Sequence, residues 1–316
     1  MQVVSEVTER AVMFNTFRQP EGRPLVYGHR GARGVLPENT QEGFSYLRSI
    51  GVAAVEIDVQ NTADGVSVVI HDPLMPMQLA RDGAGNWLSA PGPKIIEMSV
   101  EELRAYDVGR LRPDHAYGAR YPDQRALDGA RVPLLSEFLE WAAEDRALYI
   151  NIEIKSFAHR NDLGDPPRVL AKTVLDALSH QRIEQPCVIS SFDWRVLGAV
   201  REFAPEIARG YLSYEEPGEE CTIYDGSPWM DGLRLSDHTG SLPRLIAAQG
   251  AQCWCPHFRD LTPERLAQAH DLGLAVNVWT VNEIADMVAM TEMGVDGVIT
   301  DYPERMLQLL GTHPAK

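Results

Sequence analysis

Three carboxylates stand within two strand-like stretches of the chain. Glu56 and Asp58 lie in AVEIDVQNT (54–62), and Glu153 lies in LYINIEIK (148–155). Apolar and polar residues alternate in both stretches, which is typical of a β-strand whose two faces have different surroundings. The apolar face would pack against helices, so the carboxylates would point together into the interior. Buried like charges repel one another, and the pattern therefore predicts a hard divalent cation with oxygen ligands.

Two histidines and two basic residues accompany these carboxylates. His29 and His71 each stand at the end of an apolar stretch, Arg30 follows His29 directly, and Lys155 ends the second carboxylate stretch. Histidine titrates near neutral pH, so one of the pair can serve as a base while the other serves as an acid. Arg30 and Lys155 supply fixed positive charge for an anionic group such as phosphate. A metal-free network of salt bridges from Arg30 and Lys155 to the carboxylates is the alternative.

These residues belong to a regular series of elements. Strand-like apolar runs alternate with helical patterns along the chain, and the first helix is expected over 41–49, with Thr40 or Asn39 as its cap. The runs are residues 25–31, 54–62, 66–72, 148–155, 186–193, 207–214, 252–258, 275–281 and 296–301. About eight βα units favour a parallel sheet, and the predicted fold is an α/β protein, a closed (β/α)8 TIM barrel. The alternative is a doubly wound open sheet, but GHRGARG lacks the spacing of a dinucleotide loop.

One segment interrupts the series after the second barrel strand region. Residues 73–131 contain Pro-, Gly- and Arg-rich stretches such as DGAGNWLSAPGP, with one short helix expected near SVEELRAY. This segment is too long for an ordinary βα connection. We therefore predict a single catalytic domain over residues 1–316, with 73–131 as a small insertion or lid within it.

Composition excludes several classes of partner. The 316 residues carry a net charge of −16, so binding to nucleic acid or to an anionic membrane surface is not expected. No apolar run approaches the roughly 18 residues that a membrane-spanning helix needs. The first 24 residues scatter charges and leave no apolar core for a signal peptide. We expect a cytoplasmic protein, with an oligomeric state that the sequence leaves open.

The cysteines do not form a metal-binding pattern. They are Cys187, Cys221, Cys253 and Cys255, and the C-x-C pair has no second pair or histidine cluster at zinc spacing. We interpret all of them as small buried apolar residues in a reducing compartment.

The motifs together resemble those of a known family. HRGARGVLPENT, EIDVQNTADGVSVVIHD and NIEIK, followed by SSF, VNVWTVN and GVDGVITDYP, are similar to the glycerophosphodiester phosphodiesterases over residues 25 to 305. The resemblance implies a TIM barrel that uses a divalent metal to hydrolyse glycerophosphodiesters, its small-molecule substrates, to glycerol 3-phosphate and an alcohol. The 73–131 segment departs most from this pattern.

The resemblance also implies roles for individual residues. His29 and His71 would form the general acid/base pair, while Arg30 and Lys155 would contact the phosphate. The ligands of one Mg²⁺ or Ca²⁺ ion would be Glu56, Asp58 and Glu153.

Further positions are open to two interpretations. Glu38 would orient the site or merely precede a helix cap. Phe192 and Trp279 would contact substrate or belong to the core. His257, in CPHF, would be a substrate contact or a polar residue at the rim.

Three other functions remain as alternatives. The first is lysophospholipase D-type action on acylated substrates, and the second is a metal-dependent sugar-phosphate isomerase or lyase on the same barrel. The third is a barrel that only binds, although the histidines and carboxylates needed for catalysis are all present. The preferred alcohol, the metal and the nucleophile, either water or the glycerol 2-hydroxyl, are not determined by the sequence.

Overall fold

The alternating runs form a parallel sheet in the computed structural model, which describes residues 15–19, 23–218 and 220–311. The strands are Leu25–His29 (β1), Ala54–Asn61 (β2), Ser67–Val69 (β3), Tyr149–Ile154 (β4), Cys187–Ser191 (β5), Ala208–Ser213 (β6), Cys253–Pro256 (β7), Ala275–Val278 (β8) and Gly297–Thr300 (β9). Most of the signal-peptide prediction concerns residues 1–14, which lie outside the described residues.

Eight of these strands close into a barrel. The order runs β1, β9, β8, β7, β6, β5, β4 and β2, and β1 pairs with β2 to complete the ring. All eight are parallel to their neighbours. The predicted (β/α)8 TIM barrel is therefore confirmed.

The run at 66–72 is not a barrel strand. Its regular part, β3, pairs antiparallel with β2 across the Asp64-Gly65 turn and ends at Val69, before His71 is reached. Nine strand-like runs therefore give eight barrel strands and one hairpin partner, and the prediction that His71 ends a strand was wrong by two residues.

Helices cover the outside of the barrel. Their bounds are Gln41–Ser49 (α1), Val100–Arg104 (α2), Ala116–Ala119 (α3), Leu135–Ala143 (α4), Pro167–Gln181 (α5), Trp194–Phe203 (α6), Leu242–Ala248 (α7), Pro263–Asp271 (α8), Ile284–Met293 (α9) and Pro303–Leu309 (α10). The first begins as predicted, because the Thr40 hydroxyl accepts a hydrogen bond from the Gly43 N–H at 3.2 Å. None of the helices in the described ranges is long and apolar enough to cross a membrane.

The main apolar core lies between the barrel and the helices. Val55, Ile57 and Val59 of β2 are fully buried in it, together with apolar residues of α1 and α4. Since alternate residues of a strand face opposite ways, this packing directs the polar residues of β2 into the barrel.

The 73–131 segment lies between β3 and α4 and contains α2, α3 and one short 3₁₀ helix. It has a smaller apolar cluster of its own, which includes Met75, Ile95 and Leu103 and extends to Val68 of β3. The segment is thus packed on the hairpin at the carboxyl end of β2, close to the predicted site.

The opposite end of the barrel is filled by apolar side chains. Phe17 packs there at the start of an apolar cluster that extends inside the barrel through Cys253 and Cys255, which are buried free thiols as predicted, towards Phe192 and Trp279. The prediction was too strong for Cys187 and Cys221, which are free but only partly buried.

Candidate functional site

The three carboxylates converge inside the barrel. In the parallel pairing of β2 with β4, Asp58 lies opposite Glu153 and Glu56 lies opposite Asn151. One ligand oxygen from each of Glu56, Asp58 and Glu153 lies within 4.8 Å of the other two. The inward orientation predicted from strand alternation is therefore correct, and the spacing suits a single cation with oxygen ligands.

The charges at this point are unbalanced without a cation. Glu56 and Asp58 are 3% and 1% exposed, and Glu56 Oε1 and Asp58 Oδ1 are buried without a hydrogen-bond partner. Burial, followed by the neighbouring charges of Asp58 and Glu153, raises the pKa of Glu56. Within the part of the chain that the structure describes, these three carboxylates and Glu38 face two basic side chains, Arg30 and Lys155. The residues present therefore fit one divalent cation.

Arg30 holds the carboxylates through both its backbone and its side chain. Its φ of 52° is left-handed, which is rare outside glycine, and its backbone N–H donates to Glu56 Oε2 at 3.0 Å. Its Nη1 donates to Glu38 Oε1 at 2.8 Å, and its Nε lies 3.2 Å from Asp58 Oδ2. Although burial opposes this, Asp58 and Glu38 raise the pKa of Arg30, so it stays charged.

Lys155 approaches the same carboxylates from β4. Its Nζ lies 2.6 Å from Glu153 Oε1 and 3.7 Å from Asp58 Oδ1. The alternative of a salt-bridge network is thus partly realised. It leaves Glu56 Oε1 and Asp58 Oδ1 without a hydrogen bond, and Lys155 approaches the latter only to 3.7 Å, so it does not replace a cation.

His29 is oriented by a buried aspartate. Its Nδ1 lies 2.7 Å from Asp301 Oδ1, just beyond the end of β9, and its Nε2 lies 3.8 Å from Glu56 Oε2. Because a carboxylate accepts a proton, Nδ1 carries the hydrogen and the Nε2 lone pair faces the carboxylates. Burial and the nearby Arg33 lower the pKa of His29 to about 4, so the ring is neutral near pH 7.

Asp301 is fixed by further partners that sequence reasoning missed. Arg33 donates from Nε and Nη2 to its two oxygens at 2.8 and 3.0 Å, and Asn282 Nδ2 donates at 2.7 Å. Although burial opposes it, Arg33 and His29 lower the pKa of Asp301, which stays ionised. The available signals were the second arginine of GHRGARG and the aspartate of ITDYP, each just past a strand end.

His71 has a parallel but more exposed arrangement. Its Nδ1 lies 2.7 Å from Asp72 Oδ1, and its side chain is 31% exposed. Gln60, at an inward position of β2, donates from Nε2 to the carbonyls of Ile70, His71 and Asp72 at 2.9 to 3.1 Å. A barrel side chain thus holds the turn that carries His71.

Glu38 and the 73–131 segment meet behind Arg30. Tyr117, in α3, donates a hydrogen bond from its hydroxyl to Glu38 Oε2 and receives one from Arg33 Nη1 at 3.3 Å. Arg120 follows α3 and borders the site cavity. The sequence did not indicate that this segment supplies side chains to the site.

A cavity of about 320 Å³ opens above the carboxylates. Of the predicted site residues it is lined by His29, Arg30, Glu56, His71, Glu153, Lys155, Phe192 and Trp279. Asp58 and Glu38 lie buried behind this lining. Phe192 and Trp279 meet edge to face, with ring centroids 5.2 Å apart. His257 borders an adjoining cavity rather than this one.

The fold and the site define a TIM-barrel enzyme with its polar residues at the carboxyl ends of the strands. Residues 29–305 match the model of the glycerophosphoryl diester phosphodiesterase family, and the chain belongs to that family. The prediction of a phosphoric diester hydrolase of this kind is thereby confirmed.

Relatives of the chain agree with this family. A glycerophosphodiester phosphodiesterase from Caldanaerobacter subterraneus is 28% identical over 288 residues, which cover 91% of this chain and 98% of that protein. A crystal structure from Silicibacter pomeroyi DSS-3, provisionally named for the same activity, is 42% identical with a TM-score of 0.81 and covers 93% of this chain and 95% of its own.

A more distant structure shares the fold. It is an Oleispira antarctica phosphodiesterase in complex with the product sn-glycerol-3-phosphate, 21% identical with a TM-score of 0.68. The match covers 91% of this chain and 97% of that one.

Proposed function

We propose that the chain hydrolyses glycerophosphodiesters to glycerol 3-phosphate and an alcohol, with one divalent cation and two histidines. The observation that carries this proposal is the convergence of three carboxylates and two carboxylate-held histidines at and directly behind the wall of one cavity. The sn-glycerol-3-phosphate bound by the Oleispira antarctica relative is consistent with it.

Glu56, Asp58 and Glu153 would hold the cation, Mg²⁺ or Ca²⁺. The buried oxygens of Glu56 and Asp58 that lack hydrogen bonds, together with the excess negative charge of the three carboxylates, support this assignment. When bound, such an ion would draw negative charge from the phosphate oxygens. Arg30 and Lys155 would add fixed positive charge to the same group, and Glu38 would keep Arg30 in place rather than contact the substrate.

The two histidines would divide the proton transfers. His29 is neutral near pH 7 and has a free Nε2, which suits a general base acting on water or on the glycerol 2-hydroxyl. His71 would give a proton to the departing alcohol, which is supported by its position on the border of both the site cavity and the adjoining cavity.

The two proton transfers alone cannot account for the rate acceleration of an enzyme. Enzymes accelerate reactions by about 10⁶ to 10¹⁷-fold, whereas general acid/base catalysis contributes about 10² to 10⁴. The remainder would come from positioning and charge neutralisation by the cation, Arg30 and Lys155.

The proposal also includes a role for the 73–131 segment and a cellular location. The 73–131 segment would act as a wall of the site within one catalytic domain, supported by the contact of Tyr117 with Glu38. A cytoplasmic location is supported by the four free thiols, which reducing compartments preserve.

The test is release of glycerol 3-phosphate from diesters of choline, ethanolamine, inositol and glycerol. The protein is stripped with a chelator and resupplied with Mg²⁺ or Ca²⁺. Activity should vanish on stripping and return with the ion. His29→Ala and His71→Ala should each lower kcat at least about 10²-fold, since each removes one proton transfer. His180→Ala, on the exposed side of α5, is the control and should keep full activity.

Other results would favour the alternatives. Turnover of lysophosphatidylcholine but not of glycerophosphocholine would indicate lysophospholipase D-type action. Conversion of a sugar phosphate with no diester turnover would indicate the isomerase or lyase. Full activity after complete removal of metal would contradict the assignment of the carboxylates.

A further inference from the structure

A second cavity, of about 520 Å³, adjoins the site cavity. The two share His71, Glu153, Lys155, Phe192, Glu220 and Trp279 as lining residues. His29 and Arg30 border only the first. On the proposed function, a diester with its phosphate at the shared boundary and its glycerol beside His29 would place its alcohol in the second cavity.

Six aromatic side chains beside His71 line this second cavity. They are Phe157, Phe192, Tyr214, Trp229, His257 and Trp279. Five of the six stand one to three residues beyond the ends of the consecutive strands β4 to β8, so the barrel itself fixes their positions. Ring centroids of Trp279 lie 5.2 Å from Phe192, 5.1 Å from His257 and 6.2 Å from Tyr214.

The polar atoms of Trp279, Tyr214 and Trp229 are bonded elsewhere, whereas Nδ1 of His257 is buried without a hydrogen-bond partner. The Trp279 Nε1 donates to the Cys255 carbonyl at 2.9 Å, and the Tyr214 hydroxyl donates to Glu216 at 2.8 Å. The Trp229 Nε1 donates to His159 Nε2 at 3.0 Å. Apart from His257, these rings therefore offer ring surface rather than hydrogen bonds, which disfavours a polyol such as glycerol or inositol.

Glu220 makes the cavity favourable for a cation, with His71, the proposed proton donor, at the boundary with the site cavity. Glu220 borders both cavities, and within the described ranges no basic side chain pairs with its carboxylate. Lys155 also borders this cavity, but its Nζ lies 2.6 Å from Glu153 and 3.7 Å from Asp58, so its charge is directed to the carboxylates and the phosphate rather than to the alcohol. Burial lowers the pKa of His257, so this ring adds no positive charge near pH 7. An acyl chain would gain nothing from Glu220, whereas an ammonium group would be attracted to it.

We propose that this cavity binds the alcohol part of the substrate and selects an alcohol that carries a substituted ammonium group. Ring faces attract such cations, and methylated ammonium groups need no hydrogen-bond partners. Glu220 supplies the counter-charge at the entrance, and Trp279 supplies the central ring. The inference rests on the proposed function and adds the class of alcohol to it.

The test compares kcat/KM for glycerophosphocholine with that for the diester of 3,3-dimethylbutanol, in which carbon replaces the choline nitrogen. The two alcohols have nearly the same shape and differ in charge. We expect the choline diester to be preferred at least tenfold. Glu220→Gln and Trp279→Leu should each reduce this ratio several-fold. Glu206→Gln, in a cavity at the other end of the barrel, is the control and should leave the ratio of the two kcat/KM values unchanged.

Equal values for the two diesters, or a preference for the uncharged one, would overturn the inference while leaving the hydrolysis itself established. A preference for glycerophosphoglycerol or glycerophosphoinositol would overturn it in the same way. If no diester is hydrolysed, the proposed function fails. Titration of tryptophan fluorescence with choline and with 3,3-dimethylbutanol then tests whether the cavity binds a substituted ammonium group. Saturable quenching by choline alone, lost in Trp279→Leu, would support the cation site, and its absence would overturn it.

Discussion

The two histidines of the site are held in the same way but in different surroundings. Each places Nδ1 at 2.7 Å from an aspartate oxygen, His29 from Asp301 and His71 from Asp72. The first pair is buried, whereas both partners in the second are about one-third exposed. A buried, neutral histidine and a solvent-accessible one are suited to different halves of a proton relay.

Asp72 offers a test of this orientation, because it is exposed enough to be replaced without unfolding the chain. In Asp72→Asn the amide no longer has to accept the Nδ1 hydrogen, so His71 can turn or change tautomer. We expect kcat to fall about 10²-fold, at the lower end of the acid/base contribution, with little change in melting temperature. Steady-state kinetics and thermal unfolding check this.

The control for that change is Asp123→Asn, which alters an exposed aspartate of the 73–131 segment. It should leave kcat unchanged. Equal rates for Asp72→Asn and the parent would mean that the turn alone, through Gln60, orients His71.

Among the elements, β2 and β4 determine most of the site, and this part could be predicted. Apolar residues at every second position fix which face packs outward, and the carboxylates between them have to face inward. The antiparallel direction of β3 could also be predicted, since Asp64-Gly65 between two apolar runs is a strong hairpin signal.

Other contacts could not be predicted from local patterns. Asp301 meets His29 across 272 positions of the chain, and Tyr117 reaches Glu38 from a segment with little periodicity. Strand alternation predicts which way a side chain faces, but it does not predict which residue of a distant loop the side chain contacts. Closure of the barrel and docking of the 73–131 segment create these contacts, so they appear only in three dimensions.

The close packing of β1 against α1 at Gly28 supports a prediction about stability. A Cβ atom on Gly28, in β1, would lie 2.2 Å from the Gly31 carbonyl oxygen and 2.5 Å from Leu47 Cδ2 of α1. Neither strand nor turn can move away without displacing His29. Gly28→Ala should therefore lower the free energy of unfolding by about 1–3 kcal/mol or more, as overpacking does. The midpoint of urea unfolding measures this.

Gly83 is the matched control for Gly28. It has nothing within 4 Å of an added Cβ and no positive φ. Gly83→Ala should leave the urea midpoint within experimental error. A midpoint for Gly28→Ala as high as that of this control would show that β1 and α1 can separate at little cost.

On the scale of the whole molecule, the candidate site and a segment that stabilises the fold lie at opposite ends of the barrel. The histidines, carboxylates and aromatic rings lie at or near the carboxyl ends of the strands, whereas residues 15–19 cover the opposite end. There Asn15 Nδ2 donates to the carbonyls of Gln252 and Gly273 at 2.7 and 3.0 Å, and Arg18 pairs with Asp296 at 3.1 Å. This segment therefore joins the amino ends of several strands without approaching the site.

Phe17 is the apolar anchor of that segment, at 4% exposure, and its ring meets Tyr149 edge to face at 6.0 Å. Phe17→Ala should lower the free energy of unfolding by about 3 kcal/mol, because it opens a cavity among the strand ends. The activity per folded molecule at 25 °C should not change, since the site lies at the other end of the barrel.

Phe203→Ala, 41% exposed on α6, is the control and should lower the free energy of unfolding clearly less. Urea unfolding and kinetics on the same preparations provide both readouts. A loss of activity in Phe17→Ala without a loss of stability would mean that the two ends of the barrel are coupled, and the separation argued above would be wrong.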